Sequence, residues 1–82
     1  MRIVWDEPKR LANIEKHGLD FAELSVEFFE AATIYPAKAG RLMALAALNG
    51  RPVIAVVFLP LGTEGISIIS MRTASLKERK LV

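Results

Sequence analysis

One histidine and a scattered set of basic side chains are the only residues here whose types suggest shared polar chemistry. They are Lys9, Lys16, His17, Arg41, Arg72 and Arg79. The chain has no cysteine and no second histidine, so a thiolate or multi-histidine metal centre has no ligands to draw on. It also lacks a glycine-rich phosphate loop, an H-E-x-x-H pair and a nucleophile elbow. The set does suit metal-independent RNA cleavage, in which the substrate's own 2′-hydroxyl attacks the neighbouring phosphorus. That reaction asks the protein for proton transfer and for donors around the phosphorane charge. An imidazole takes or gives a proton near neutral pH. Arginine stays charged and meets phosphate with a rigid fork of donors, and one such donor typically carries about 10²–10³ in rate. Spacing alone leaves plainer uses open. His17 at a helix end also serves the helix dipole, Arg41 and Arg72 also solvate strand ends, and Trp5 suits a core as well as a stacking platform.

Such residues must be carried by a small scaffold. With 82 residues the chain makes one domain, residues 1–82, with a modest core that removes roughly 60–65% of the unfolded surface from water. The apolar content of 52% exceeds what that core can absorb, so part of it is expected to face another chain. Four of the nine acids, Asp20, Glu23, Glu27 and Glu30, fall in residues 20–30, which hold no cation. The rest of the chain holds all eleven cations, a distribution that suits an anionic ligand. No run reaches the ~20 apolar residues of a membrane span. Met1 leads into a strand-like segment and not a signal peptide, so a cytoplasmic protein is expected.

The body of the fold is legible in residues 41–71. Three apolar runs, RLMALAAL, RPVIAVVFL and ISIISM, are separated by Asn49-Gly50 and by PLGTEG. β-Branched residues dominate the second and third runs and favour strands. Asn-Gly is a strong hairpin signal, because a type I′ turn needs φ > 0 at both central positions. The prediction is an antiparallel meander whose second run, apolar throughout, is central and covered on both faces.

Ahead of it, residues 2–5 read as a strand. Residues 7–16 read as a helix with Asp6 at the N-cap, Pro8 in the first turn, an apolar face of Leu11, Ala12 and Ile14, and Gly18 as the stop. A second helix is expected from Asp20, with Asp20 and Glu23 as a capping box, Leu19 stapled to Leu24, and Phe21, Leu24 and Phe28 facing inward. Thr33, Ile34 and Tyr35 begin another strand, and Pro36 marks it as an edge. Ser75 and Glu78 form a second capping box that opens a short C-terminal helix. The predicted architecture is α+β, in the order β-α-α-β-β-β-β-α, with an antiparallel sheet packed against the two N-terminal helices.

Two separated motifs narrow the reading. The opening W-D-E-x-K-x-x-x-N-x-x-K-H-G-x-x-F is spelled by Trp5-Asp6-Glu7, Lys9, Asn13, Lys16-His17-Gly18 and Phe21. The closing I-I-S-x-R-x-A-x-x-x-E-R is spelled by Ile68-Ile69-Ser70, Arg72, Ala74 and Glu78-Arg79. Together they resemble the BrnT family, the ribonuclease toxins of bacterial type II toxin–antitoxin pairs. The resemblance implies a RelE-like α+β domain and an endoribonuclease without cofactor that arrests translation. It also implies neutralisation by a BrnA-type antitoxin, whose ribbon-helix-helix domain links the pair to operator DNA. The motifs carry over His17, Lys16, Arg72, Glu78 and Arg79, and Arg41 matches the arginine that commonly opens the family's central hairpin; proton transfer is expected of His17 and phosphate contacts of Arg41, Arg72 and Arg79. Lys9 and Lys16 become RNA-binding support, and Glu78 either orients an arginine or serves as an alternative base. A non-catalytic module that keeps the fold and the antitoxin surface is the alternative. In the first hairpin strand Ala46-Ala47 stands where the family often has Ile-Gly.

Overall fold

The computed structural model describes residues 1–82. The chain runs β1 (Arg2–Trp5), α1 (Glu7–His17), α2 (Val26–Ala31), β2 (Thr33–Pro36), β3 (Leu42–Ala46), β4 (Ile54–Leu61), β5 (Gly65–Thr73) and α3 (Leu76–Arg79), with 3₁₀ turns at Phe21–Glu23 and Lys38–Gly40. The strands form one sheet in the order β1-β5-β4-β3-β2. β4 is central and antiparallel to both neighbours, and Ile54, Ala55 and Val56 are all buried, as a strand covered on both faces requires.

The sheet is mixed, not wholly antiparallel. β1 runs parallel to β5, from Arg2 opposite Gly65 to Trp5 opposite Ile68. A parallel pair needs a crossover connection, and the chain between β1 and β5 supplies a long one. The Asn49-Gly50 turn forms as predicted, with φ of 48° and 76° and Arg51 N–H donating to the Leu48 carbonyl at 2.9 Å. The ladder nevertheless stops at Ala46 opposite Ile54, because Leu48 folds back into the core.

A bulge interrupts the β4–β5 ladder. Val57 pairs with Ser70, but Phe58 pairs with Ile68, so Ile69 is the extra residue. Ile66, Ile68 and Met71 therefore share one core cluster although their spacing breaks the two-residue period of a strand. That cluster joins them to Leu19, Phe21, Leu24, Phe28, Ala44, Ile54, Val56 and Phe58. The opposite face carries a smaller cluster of Leu45, Ala55 and Ala74. The C-terminal segment lies on that second face. Ala74 N–H donates to the Val53 carbonyl at 2.9 Å, and Tyr35 Oη donates to the Leu81 carbonyl at 3.2 Å. The α3 capping box forms in full, so this helix is anchored at both ends despite its four residues.

Two helix expectations need correction. In α1, Leu11 is 56% exposed and the buried residue is Asn13. The helix meets the edge of β5, where backbone groups need hydrogen bonds more than apolar cover. Asp6 holds the N-cap position, but its side chain makes no capping bond. The expected second helix is split. Asp20 accepts from Ala22 N–H and caps only the 3₁₀ turn. Leu24 is extended, and Ser25 opens α2 by accepting from Phe28 N–H. Glu23 turns away to Arg51 at 2.8 Å instead of closing a capping box. Phe21, Leu24 and Phe28 are still buried. Trp5 packs edge-on against Phe21, with ring centroids 6.2 Å apart, and donates Nε1–H to Glu7, which makes it part of the core wall.

Candidate active site

The bulge decides where Arg72 points. Arg72 pairs in register with Ala55 and so shares the second face with Leu45 and Ala55. Without the extra residue its side chain would follow Ile66 and Ile68 into the main core. On the second face it meets α3. Arg72 Nη1 and Nη2 donate to the two carboxylate oxygens of Glu78 at 2.7 and 2.9 Å, a bidentate fork. Ser75 N–H donates to the same carboxylate at 2.9 Å. The Arg72 guanidinium, then the Ser75 amide, lower the Glu78 carboxyl to about 2. A carboxylate that acidic is a poor proton acceptor, and both of its oxygens are taken up by the Arg72 fork. Arg79 lies on the same turn with Nε–H near the Ala74 carbonyl at 3.4 Å, and Lys77 and Lys80 flank it.

This pair makes stability depend on acid. Glu78 sits lower in the folded chain, at about 2, than its ordinary 4.5, so its contribution is complete above pH 4.5 and is lost as pH falls toward 2. The side chains of Arg72 and Glu78 are 36% and 16% exposed, and solvent screening reduces the effect to about 1–2 kcal/mol. Asp20 is also lowered, by its hydrogen bond from Arg10 and then by the Ala22 amide, and acts in the same direction. Urea melts from pH 7 to pH 3 should show Glu78→Gln losing less stability than wild type below pH 4.5. Equal losses in both proteins would mean that the fork does not stabilise the fold.

The first motif forms a single stripe on α1. Lys9, Asn13, Lys16 and His17 fall at i, i+4, i+7 and i+8, one helical face. Asn13 anchors that stripe. Its Nδ2–H₂ donates to the carbonyls of Leu19 at 3.0 Å and Met71 at 2.9 Å, and its Oδ1 accepts from Met71 N–H at 3.0 Å. Lys9, Lys16 and His17 stay exposed on either side of the anchor, and His17 forms no side-chain hydrogen bond. In the sequence Asn13 is marked only by its place in the motif. Its position on the cationic stripe was the available signal.

Arg41 is exposed and stands apart, just before β3. The register sets Arg72 level with Ala55 and Leu45, four residues along and two strands across from Arg41. That separation is roughly 16 Å at ordinary strand spacings. The structure therefore joins Arg72 and Glu78, with Arg79 the next residue on the same turn, groups Lys9, Lys16 and His17 on α1, and leaves Arg41 as an outlying cation. The acidic segment is half neutralised, since Arg10 forks Asp20 at 2.8 and 3.2 Å and Arg51 takes Glu23. The one cavity, of about 960 Å³, is lined by Arg2, Val4, Leu61, Glu64 and Gly65 among others. It lies at the other end of β5 and holds none of these residues. The candidate site is an open cationic surface, which a polymeric ligand can cross.

A sequence profile described as "Ribonuclease toxin, BrnT, of type II toxin-antitoxin system" matches residues 5–78. Among solved structures, the 1.1 Å crystal structure of the Brucella abortus ribonuclease toxin BrnT is 60% identical in sequence. It superposes with a TM-score of 0.85 over 92% of this chain and 97% of that one. Comparison with curated proteins gives no match.

Proposed function

The chain belongs to the BrnT family of ribonuclease toxins of type II toxin–antitoxin systems, and from that premise we propose that it cleaves RNA internally, without a metal, and thereby arrests translation. The 2′-oxygen attacks phosphorus, the P–O5′ bond breaks, and the products are a 2′,3′-cyclic phosphate and a 5′-hydroxyl. The observation that carries this mechanism is the Arg72–Glu78 fork beside Arg79. Glu78 holds the guanidinium plane by its two outer nitrogens, Nη1 also donates to the Thr73 carbonyl at 3.4 Å, and Nε–H with the second Nη2–H is left for phosphate oxygens as negative charge grows. His17 carries a proton between the 2′-hydroxyl and the leaving oxygen. Lys9, Lys16 and Arg41 hold flanking phosphates.

The same reading covers the fold label, the partner and the place of action. It takes the arrangement of helices and sheet as RelE-like and the antitoxin as BrnA-type, reaching operator DNA only through that antitoxin. No helix is long and apolar enough to cross a membrane, and action in the cytoplasm is part of the proposal. Leu59 and Leu61 on the sheet are 36% and 46% exposed, apolar surface that a bound antitoxin would cover. Acidic side chains of the antitoxin would compete with phosphate for the cations.

One experiment tests the core of this. Purified toxin, alone and as preformed complex, is incubated with RNA in EDTA, and the new ends are analysed. Free toxin should cleave fully and leave cyclic or 3′-phosphate ends, whereas the complex should neither cleave nor bind RNA. Activity that vanishes in EDTA and returns with magnesium would overturn the mechanism. A saturated complex that binds RNA as tightly as free toxin would overturn steric exclusion.

A further inference from the structure

We propose that Asn13 is a positioning residue, holding the His17 end of α1 on the Arg72 end of β5. This rests on the reading that His17 and Arg72 act on one substrate. β1 stops pairing with β5 at Trp5 opposite Ile68, three residues short of Met71. Met71 pairs with Val56 on its other side, so its N–H and C=O toward the β1 edge have no strand to receive them. Asn13 takes the place of that strand. It accepts from Met71 N–H at 3.0 Å and donates to Met71 C=O at 2.9 Å, and its second N–H goes to the Leu19 carbonyl at 3.0 Å.

The amide is 6% exposed, with both N–H groups and the oxygen engaged. Only a carboxamide offers two donors and an acceptor in one plane. An apolar contact would let the helix rotate and slide, whereas this clamp sets both angle and register. His17 is bracketed by it. Asn13 lies one turn before His17 on the same face, at about 6 Å between Cβ atoms, and Leu19 follows two residues after. Arg72 is the residue next to Met71. Both proposed reacting groups are therefore one step from the same buried amide, although neither touches it.

The test uses full-length toxin, an RNA oligonucleotide in EDTA, and a non-cleavable 2′-deoxy analogue as the binding probe. Asn13→Asp keeps the shape and the acceptor but loses both donated bonds. It should bind the analogue within about threefold of wild type, since the cations that hold phosphate are untouched, with kcat lowered about tenfold to a hundredfold. Asn13→Gln retains the donors on a longer arm. It serves if the Asp variant does not fold, and is expected to show the same loss of kcat over binding. A double-mutant cycle separates positioning from mere support. In a His17→Gln background, Asn13→Asp should cost little further rate, because the group it positions is gone. The proposal is overturned if Asn13→Asp cleaves at the wild-type rate per folded molecule, or if the two losses multiply independently. If His17→Gln alone leaves cleavage intact, the reading beneath falls and takes this proposal with it, and that single-variant result identifies which step failed.

Discussion

Replacing His17 by glutamine should slow RNA cleavage by about 10²–10⁴, the usual span for a positioned proton carrier, with little effect on the fold. The side chain is exposed and makes no hydrogen bond, so stability should change by less than about 0.5 kcal/mol. The C-terminal stop of α1 does not depend on it. Gly18 takes the left-handed conformation at φ 69° and donates its N–H to the Ile14 carbonyl. The decisive measurement is the cleavage rate, alongside thermal melts. The variant should lose most of its rate while melting like wild type. A variant with the wild-type rate would leave His17 only the dipole role it also has.

Arg72→Ala should lower cleavage by about 10²–10³, but the fork with Glu78 means that it also touches stability. Removing the guanidinium leaves Glu78, 16% exposed, with only the Ser75 amide. A loss of about 1 kcal/mol corresponds to a drop of about 4–8 °C in Tm for a domain this size. The two effects come apart in a second variant. Adding Glu78→Gln to Arg72→Ala removes the orphaned charge and should recover part of the lost Tm without recovering cleavage. Recovery of both together would make Arg72 a structural residue and sink its assignment to phosphate.

The difference between those outcomes turns on the bulge at Ile69. In an uninterrupted strand Arg72 would share a face with Ile66 and Ile68, where a guanidinium has no partner among Phe21, Phe28 and Val56. One extra residue moves it to the face that α3 crosses. Bulges re-aim side chains in this way, and here a single one separates the core from the candidate site.

Much of the scaffold was written locally. The three apolar runs, the Gly18 stop, the positive-φ turn at Asn49-Gly50 and the Ser75–Glu78 capping box each depend on residues a few positions apart. Their hydrogen bonds and steric preferences hold in almost any surroundings. The stripe of Lys9, Asn13, Lys16 and His17 is equally a local fact, set by the period of the helix. The family was legible too, because its motifs are strings of such positions. What only the tertiary structure decided are the features that two distant segments settle between them. These are the parallel pairing of β1 with β5, the break at Ser25 that ends one helix and starts another, and the exposure of Leu11 beside a buried Asn13. The bulge that turns Arg72 toward Glu78 belongs with them. Each is a choice between local alternatives differing by about 1 kcal/mol or less in propensity. The winner is set by which arrangement buries Phe21, Leu24 and Phe28 and pairs the Met71 backbone at the β5 edge.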